Sequence, residues 1–350
     1  MGYKVLILGA SYGSLLGTKL LMAGHDVTLV CRQATADLIN AEGTEVRIRL
    51  RGEDAHRAFR SGDLPGTLDA AAPGSVQVGD YDLVALAMSE PQYGSDDIRA
   101  LLRRIAAAEL PCLSIMNMPP LPFLQRIAGL DARGLAPCFA HPGVWAGFRP
   151  GLVALCSPDP QAFRPPEEKA NVLHVGLPTN FKAAPFEDPA HNAMLREMEA
   201  GIEALRVDGH DVPVKLRMHE SLFVPFAKWA MLLTGNYRAV LAAGSRPIRE
   251  AVHGDPELSR AIYTRVNDLV VKLGADAGDL VPFEKYAKAA ESLLKPSSAA
   301  RAIDAGATEI ERVDRLVKLI ADQLGMGMPE IDATVARIDA RLAANRREAA

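Results

Sequence analysis

The sequence predicts an α/β protein: a doubly wound, mainly parallel sheet over residues 1–210, then an all-helical domain over 211–350. Three observations predict it. Apolar strand-like runs alternate with helical patterns through the first third, the rhythm of βαβ units with right-handed crossovers. Strand signals stop after Val214, and the composition shifts near residue 210. A length of 350 residues suits two domains, with a core that needs no disulfide or metal.

Lys4 to Leu8 is a continuous apolar run ending at Gly9, as in a strand buried on both faces. Residues 15–23 read as a helix, with Gly24 as its C-terminal glycine. Residues 26–31 form a second strand, and the alternation over 44–50 suggests another. Residues 82–87 and 111–116 are further buried strands, with a helix over 96–108 between them. The stretch 117–188 is rich in Pro and Gly; within it, 144–155 and 171–175 are expected to extend the sheet. A helix follows over 189–205. Later helical patterns cover 217–241, 256–274, 283–294, 308–324 and 330–346.

Composition excludes several functions. Lys+Arg number 39 against 43 Asp+Glu, so a net charge of −4 leaves no broad basic footprint for nucleic acid. Cys31, Cys112, Cys138 and Cys156 form no C-x-x-C pair, so no zinc ribbon, redox dithiol or other metal site is expected. The start shows neither a signal peptide nor a myristoylation pattern. The longest apolar stretch, 222–233, is too short to span a bilayer and contains Lys228. These features read as a cytoplasmic protein with no membrane partner.

Gly9-Ala10-Ser11-Tyr12-Gly13 joins the first strand to the first helix. In a Rossmann-like fold this turn is the dinucleotide site. It must be tight, let the backbone approach a pyrophosphate and present the helix N-terminus to it. The pattern G-x-S-x-G is one residue shorter than G-x-G-x-x-G. It also fits a nucleophile elbow with Ser11 as a serine-hydrolase nucleophile, although that elbow normally follows several strands. Strand two ends in Val30-Cys31-Arg32-Gln33, with no acid before Asp37. Arg32 there favours the 2′-phosphate of NADPH. In the stretch 222–233, Lys228 is the one charge. It either snorkels to the surface or faces a cleft, where desolvation fits it for proton transfer. Asn236 lies eight residues on, within about 80° of the same helix face.

The head from Lys4 to Arg32, the helix carrying Lys228 and Asn236, and Pro296-Ser297 followed by Ala307-Thr308-Glu309-Ile310 resemble the ketopantoate reductase (2-dehydropantoate 2-reductase) family. That family belongs to the 6-phosphogluconate-dehydrogenase-like enzymes, and the match runs over about residues 3–345. The resemblance implies an NADP-dependent oxidoreductase, with NADPH on the N-terminal sheet and a 2-oxo acid between the domains. Hydride would pass to the keto carbon and Lys228 would act as general acid. Glu309 would order the lysine or the substrate. Asn117 would lie near nicotinamide and substrate, and Asn236 and Ser297 would bind substrate oxygens. Gly9, Ala10, Ser11, Tyr12, Gly13 and Arg32 would hold the cofactor, and a homodimer is compatible with it.

Each residue also has a plainer reading. Asn117 can shape the turn before Met118-Pro119-Pro120, Ser297 can cap a helix, and Thr308 with Glu311 can form a capping box. Departures from the family pattern are Asn117-Met118-Pro119-Pro120 in place of N-G-x-G and Leu232 in place of an asparagine. Met88-Ser89-Glu90 also stands where a basic residue is usual. A non-catalytic NADPH-binding protein of the same fold is the alternative.

Overall fold

The computed structural model describes residues 2–349. The chain forms two compact units. The first takes residues up to Met88, then Gln92–Phe123 and Gly143–Glu220; the second takes Ser89–Pro91, Leu124–Pro142 and the described residues from Ser221 onward.

In the first unit the chain runs β1 (Lys4–Leu8), α1 (Gly13–Met22), β2 (Asp26–Val30), α2 (Gln33–Glu42), β3 (Glu45–Arg49), β4 (His56–Arg60), β5 (Leu68–Ala71), β6 (Leu83–Leu86), α3 (Asp96–Ala107) and β7 (Cys112–Ile115). It includes the start of the one-turn α4 (Leu121–Leu124) and resumes with β8 (Val153–Ser157), β9 (Gln161–Phe163), β10 (Val172–Leu177), β11 (Phe181–Ala183) and α5 (Pro189–Glu203). Two short strands, β12 (Arg206–Val207) and β13 (His210–Asp211), and then β14 (Leu216–Met218) complete it. The main sheet has the order β14-β11-β8-β7-β6-β1-β2-β5. It is parallel from β5 to β8; β11 is antiparallel to β8, and β14 is parallel to β11. The fold is thus the doubly wound, mainly parallel type. The apolar run of β1 is central to it, with Val5 to Leu8 wholly buried. The order reverses between β1 and β6, which makes their carboxyl ends the topological switch point.

Three strand expectations are corrected. Residues 171–175 do not extend the main sheet; as β10 they pair with the expected strand at 44–50, β3, in a second sheet, β4-β3-β10-β9. Gly43, at φ 73°, turns the chain there, and Asn171 Nδ2 donates to its carbonyl at 2.7 Å. Val46, Ile48 and Val175 are buried while Glu45, Arg47, Arg49, His174 and Gly176 are more exposed, the one-sided alternation of a sheet with one wet face. In 144–155 only the last residues are extended. Strands also continue past Val214, because β14 pairs with β11.

The second unit is helical apart from one isolated bridge. The expected helix over 217–241 is three pieces: a 3-10 turn Val224–Phe226, α6 (Ala227–Met231) and a π turn Leu232–Asn236. Then come α7 (Ile248–His253), α8 (Pro256–Lys272), α9 (Phe283–Ala290), α10 (Ser298–Asp304), α11 (Val313–Gln323) and α12 (Pro329–Ala349). The short α7 and α10 fall outside the expected patterns. No described helix is long and apolar enough to cross a membrane.

Candidate active site

Four of the residues singled out in the first unit stand at carboxyl ends of parallel strands: Gly9 after β1, Arg32 after β2, Met88 after β6 and Asn117 after β7. Gly9 adopts φ 105°, and a Cβ there would lie 2.7 Å from Met88 Cγ and 2.8 Å from Ala87 O. No other residue fits this close approach. A Cβ on Gly13 would lie 2.6 Å from Ile7 Cγ2, so α1 sits hard against β1. The turn's own hydrogen bonds use its ends: Gly9 N donates to Val30 O at 3.0 Å and Gly13 N to Gly9 O at 3.2 Å. The amides of Ala10, Ser11 and Tyr12 donate to nothing among the described residues. Three free amides at a helix N-terminus suit a pyrophosphate, so the short turn fits a dinucleotide. Ser11 is exposed, and no described histidine hydrogen-bonds it. The hydrolase reading therefore lacks its base.

Tyr12 offers the site only its backbone. Its hydroxyl donates to Pro160 O at 2.7 Å, its ring meets Phe181 edge-on, and burial raises its pKa. Arg32 is exposed and starts α2, its carbonyl accepting from Thr35 N and Ala36 N. Beside it stands Arg164, a half-buried side chain that no sequence motif marks. Burial lowers the Arg164 pKa, the neighbouring Cys31 thiol opposes this, and the positive charge of Arg32 adds to it.

In the second unit, the π turn organises the site. Tyr237 N donates to Leu232 O at 2.9 Å, an i→i+5 bond. Four α steps of 100° and four π steps of roughly 85° sum to about two full turns, so Asn236 returns to within about 20° of Lys228. This corrects the wider angle expected for a plain helix. Burial agrees: from Val224 to Val240, only Lys228, Met231 and Asn236 are not buried. Gly235 makes the turn possible, because a Cβ there would lie 2.1 Å from Tyr286 Oη, which donates to Met231 O at 3.1 Å.

The same turn gathers the distant segments. Ser297 Oγ donates to Asn236 O at 2.7 Å and accepts from Ala300 N at 3.0 Å. Ser297 is thus a helix cap and a strut under Asn236 at once. Tyr237 Oη donates to Glu311 O at 2.7 Å and accepts from Val313 N at 3.1 Å. These bonds fix residues 309–312 as a non-helical segment, with Arg312 preceding α11, so the capping box of Thr308 and Glu311 does not form. Glu309 is exposed and Glu311 half-buried.

Glu90, noted above only as a departure, belongs to this unit. It is 1% exposed and accepts from Ala140 N at 3.2 Å. Burial pushes its carboxyl up to about 7; amide donation from Ala140 and His141 opposes this, while the charges of Glu311 and Glu309 add to it.

No protein-family model and no curated protein matches the sequence. Solved structures do match. A chain assigned to the ketopantoate reductases from Ralstonia solanacearum MolK2 superposes with a TM-score of 0.71 at 16% identity, over 99% of each chain. The fold is that of the ketopantoate reductases. A ketopantoate reductase from Ralstonia eutropha JMP134 gives 0.64 at 16% identity, over 98% of this chain and 99% of the other. D-mandelate dehydrogenase, solved with NADH and anilino(oxo)acetate, gives 0.63 at 14% identity with the same coverage. The ketopantoate-reductase fold pairs a dinucleotide-type sheet with a helical unit, and in this chain both carry the marked residues.

Proposed function

We propose that the protein is a cytoplasmic NADPH-dependent reductase of a small 2-oxo acid, a CH–OH/C=O oxidoreductase with Lys228 as general acid. The observation that carries this reading is the single line of half-buried residues, Lys228, Met231 and Asn236, along an otherwise buried helix. One ammonium and one amide, brought to one face by the π turn, can serve one small polar substrate. The amide of Asn236 hydrogen-bonds substrate oxygens, and Ser297 holds its backbone. Bound NADPH supplies a hydride. Lys228 delivers a proton to the alkoxide that this leaves, and Glu309 helps order the lysine or the substrate. Asn117, at the end of β7, belongs with the cofactor amides. A homodimer is proposed with it, since a ketopantoate reductase of this fold from Staphylococcus aureus is described as dimeric.

Arg32 tests the cofactor. Arg32→Ala is expected to weaken NADPH binding by about 1.5–3 kcal/mol, the range for hydrogen bonds to charged groups, with NADH unchanged. Calorimetric titration of both dinucleotides checks it; equal affinities in the unaltered chain would refute the NADPH assignment. NADPH binding without turnover of any 2-oxo acid would instead favour the non-catalytic alternative.

The substrate is expected to be more apolar than ketopantoate. Leu232 stands where the family has an asparagine, and it is 5% exposed inside the π turn. A site lacking the amide loses a donor and an acceptor for the substrate hydroxyl. In a kcat/KM series with NADPH saturating, alkyl or aryl 2-oxo acids should lead ketopantoate by about tenfold or more, a ratio well within what one such contact controls. A tenfold lead for ketopantoate would overturn the expectation. The structural similarity to D-mandelate dehydrogenase supports the aryl arm of the series.

A further inference from the structure

The segment between β8 and β9 runs beside the glycine turn. Asp159 is held by Ser157 Oγ and by Lys182 Nζ, the latter at 3.1 Å. Pro160 O accepts the Tyr12 hydroxyl at 2.7 Å, so the segment is tied to the turn itself. Residues 161–163 then pair with β10 in the second sheet, Ala162 opposite Val175 and Phe163 opposite His174. Arg164 is the next residue. It precedes Pro165 and Pro166, which hold its backbone extended and leave it little freedom to move away.

This path delivers Arg164 to Cys31 and Arg32 at the carboxyl end of β2. Two guanidiniums repel, and partial burial of one adds a desolvation cost, so a pair of this kind needs an anion to justify it. Neither side chain hydrogen-bonds or ion-pairs with another described residue. The nearest acid on α2, Asp37, is engaged by Gln33 Nε2 at 2.7 Å.

We infer that Arg164 is a second ligand for the ribose 2′-phosphate, closing with Arg32 a two-guanidinium clamp on NADPH. This rests on the dinucleotide reading above and adds a residue to it from another part of the chain. Two planar forks facing one dianion give charge-assisted bonds that NADH cannot receive, so Arg164 sets specificity rather than general cofactor affinity.

The test is calorimetric titration of NADPH, NADH and adenosine 2′,5′-bisphosphate into the unaltered chain, Arg164→Ala, Arg164→Lys and Arg32→Ala/Arg164→Ala, with thermal melts as folding controls. Arg164→Ala should weaken NADPH and the bisphosphate by about tenfold or more and leave NADH within about twofold, the loss of one bond to a charged group. Arg164→Lys should recover part of the loss, and the double variant should bind NADPH no better than NADH. NADPH affinity unchanged by Arg164→Ala in a folded variant would overturn the inference while leaving the cofactor reading intact. Equal losses for NADPH and NADH would also overturn it, moving Arg164 to a contact shared by both. An unaltered chain that binds neither dinucleotide would overturn the cofactor reading and the clamp with it.

Discussion

Lys228→Met is expected to lower kcat by about 10²–10⁴, the usual contribution of a positioned general acid, with NADPH affinity nearly unchanged. The size follows from the setting. Lys228 shares the half-buried line of its helix only with Met231 and Asn236, so no other ammonium on α6 or the π turn can replace it. Methionine matches its length and keeps the packing of the aliphatic stem, so the helix should persist and the loss should be chemical. The rotation through the π turn makes a second demand. Gly235→Ala would drive a Cβ toward Tyr286 Oη and Ile248, and should reduce turnover by disturbing Asn236 even though Lys228 remains. Steady-state kinetics on the best 2-oxo acid, with NADPH affinity measured separately, checks both. Turnover of Lys228→Met within about threefold of the unaltered chain would assign the lysine to the surface, far short of what loss of a general acid removes.

The sequence carried the sheet because strands buried on both faces leave continuous apolar runs, and β1 is such a run. It carried the second sheet less well. Alternating residues such as those of β3 and β10 announce a strand but not its partner, and these two pair with each other across more than a hundred residues. Lysines show the limit for sites. Lys19 lies among Leu15, Leu16, Leu20 and Leu21, a sequence signal as strong as that of Lys228. Yet Lys19 is wholly buried, donates to Pro213 O at 3.1 Å, and has its pKa lowered by burial to about 7. A lone charge in an apolar helix thus marks either a buried strut or a working group, and only the exposure of its helical neighbours separates them. Arg164 was illegible for a different reason. Nothing local in Phe163-Arg164-Pro165 points to β2; the hydrogen bond from Tyr12 and the pairing of β9 with β10 bring it there. The π turn is likewise silent in sequence, apart from Gly235 within an apolar stretch.

Glu90→Gln is expected to stabilise the protein at pH 8 by up to about 3 kcal/mol and to do little at pH 5, a size set by 1.36 kcal/mol per unit of pKa displacement. Glu90 is buried, and its carboxyl is raised from the ordinary 4.5 to about 7. In the unfolded chain it loses its proton near the ordinary value. Between roughly pH 4.5 and 7, then, the folded chain binds a proton that the unfolded chain does not, and stability falls as pH rises through that window. Above about 7 the carboxylate is ionised in both states, and the folded protein carries a buried negative charge facing Glu309 and Glu311. Glutamine keeps the shape of the protonated acid, and its amide oxygen can still accept from Ala140 N. The difference in melting temperature between variant and unaltered chain should therefore be small at pH 5 and open to about 4 °C by pH 8, given the unfolding entropy of a chain of this length. A gap that stays constant with pH would show that Glu90 does not titrate in this range. A variant less stable at pH 8 would show that the ionised carboxylate is stabilised by its amide donors more than burial penalises it.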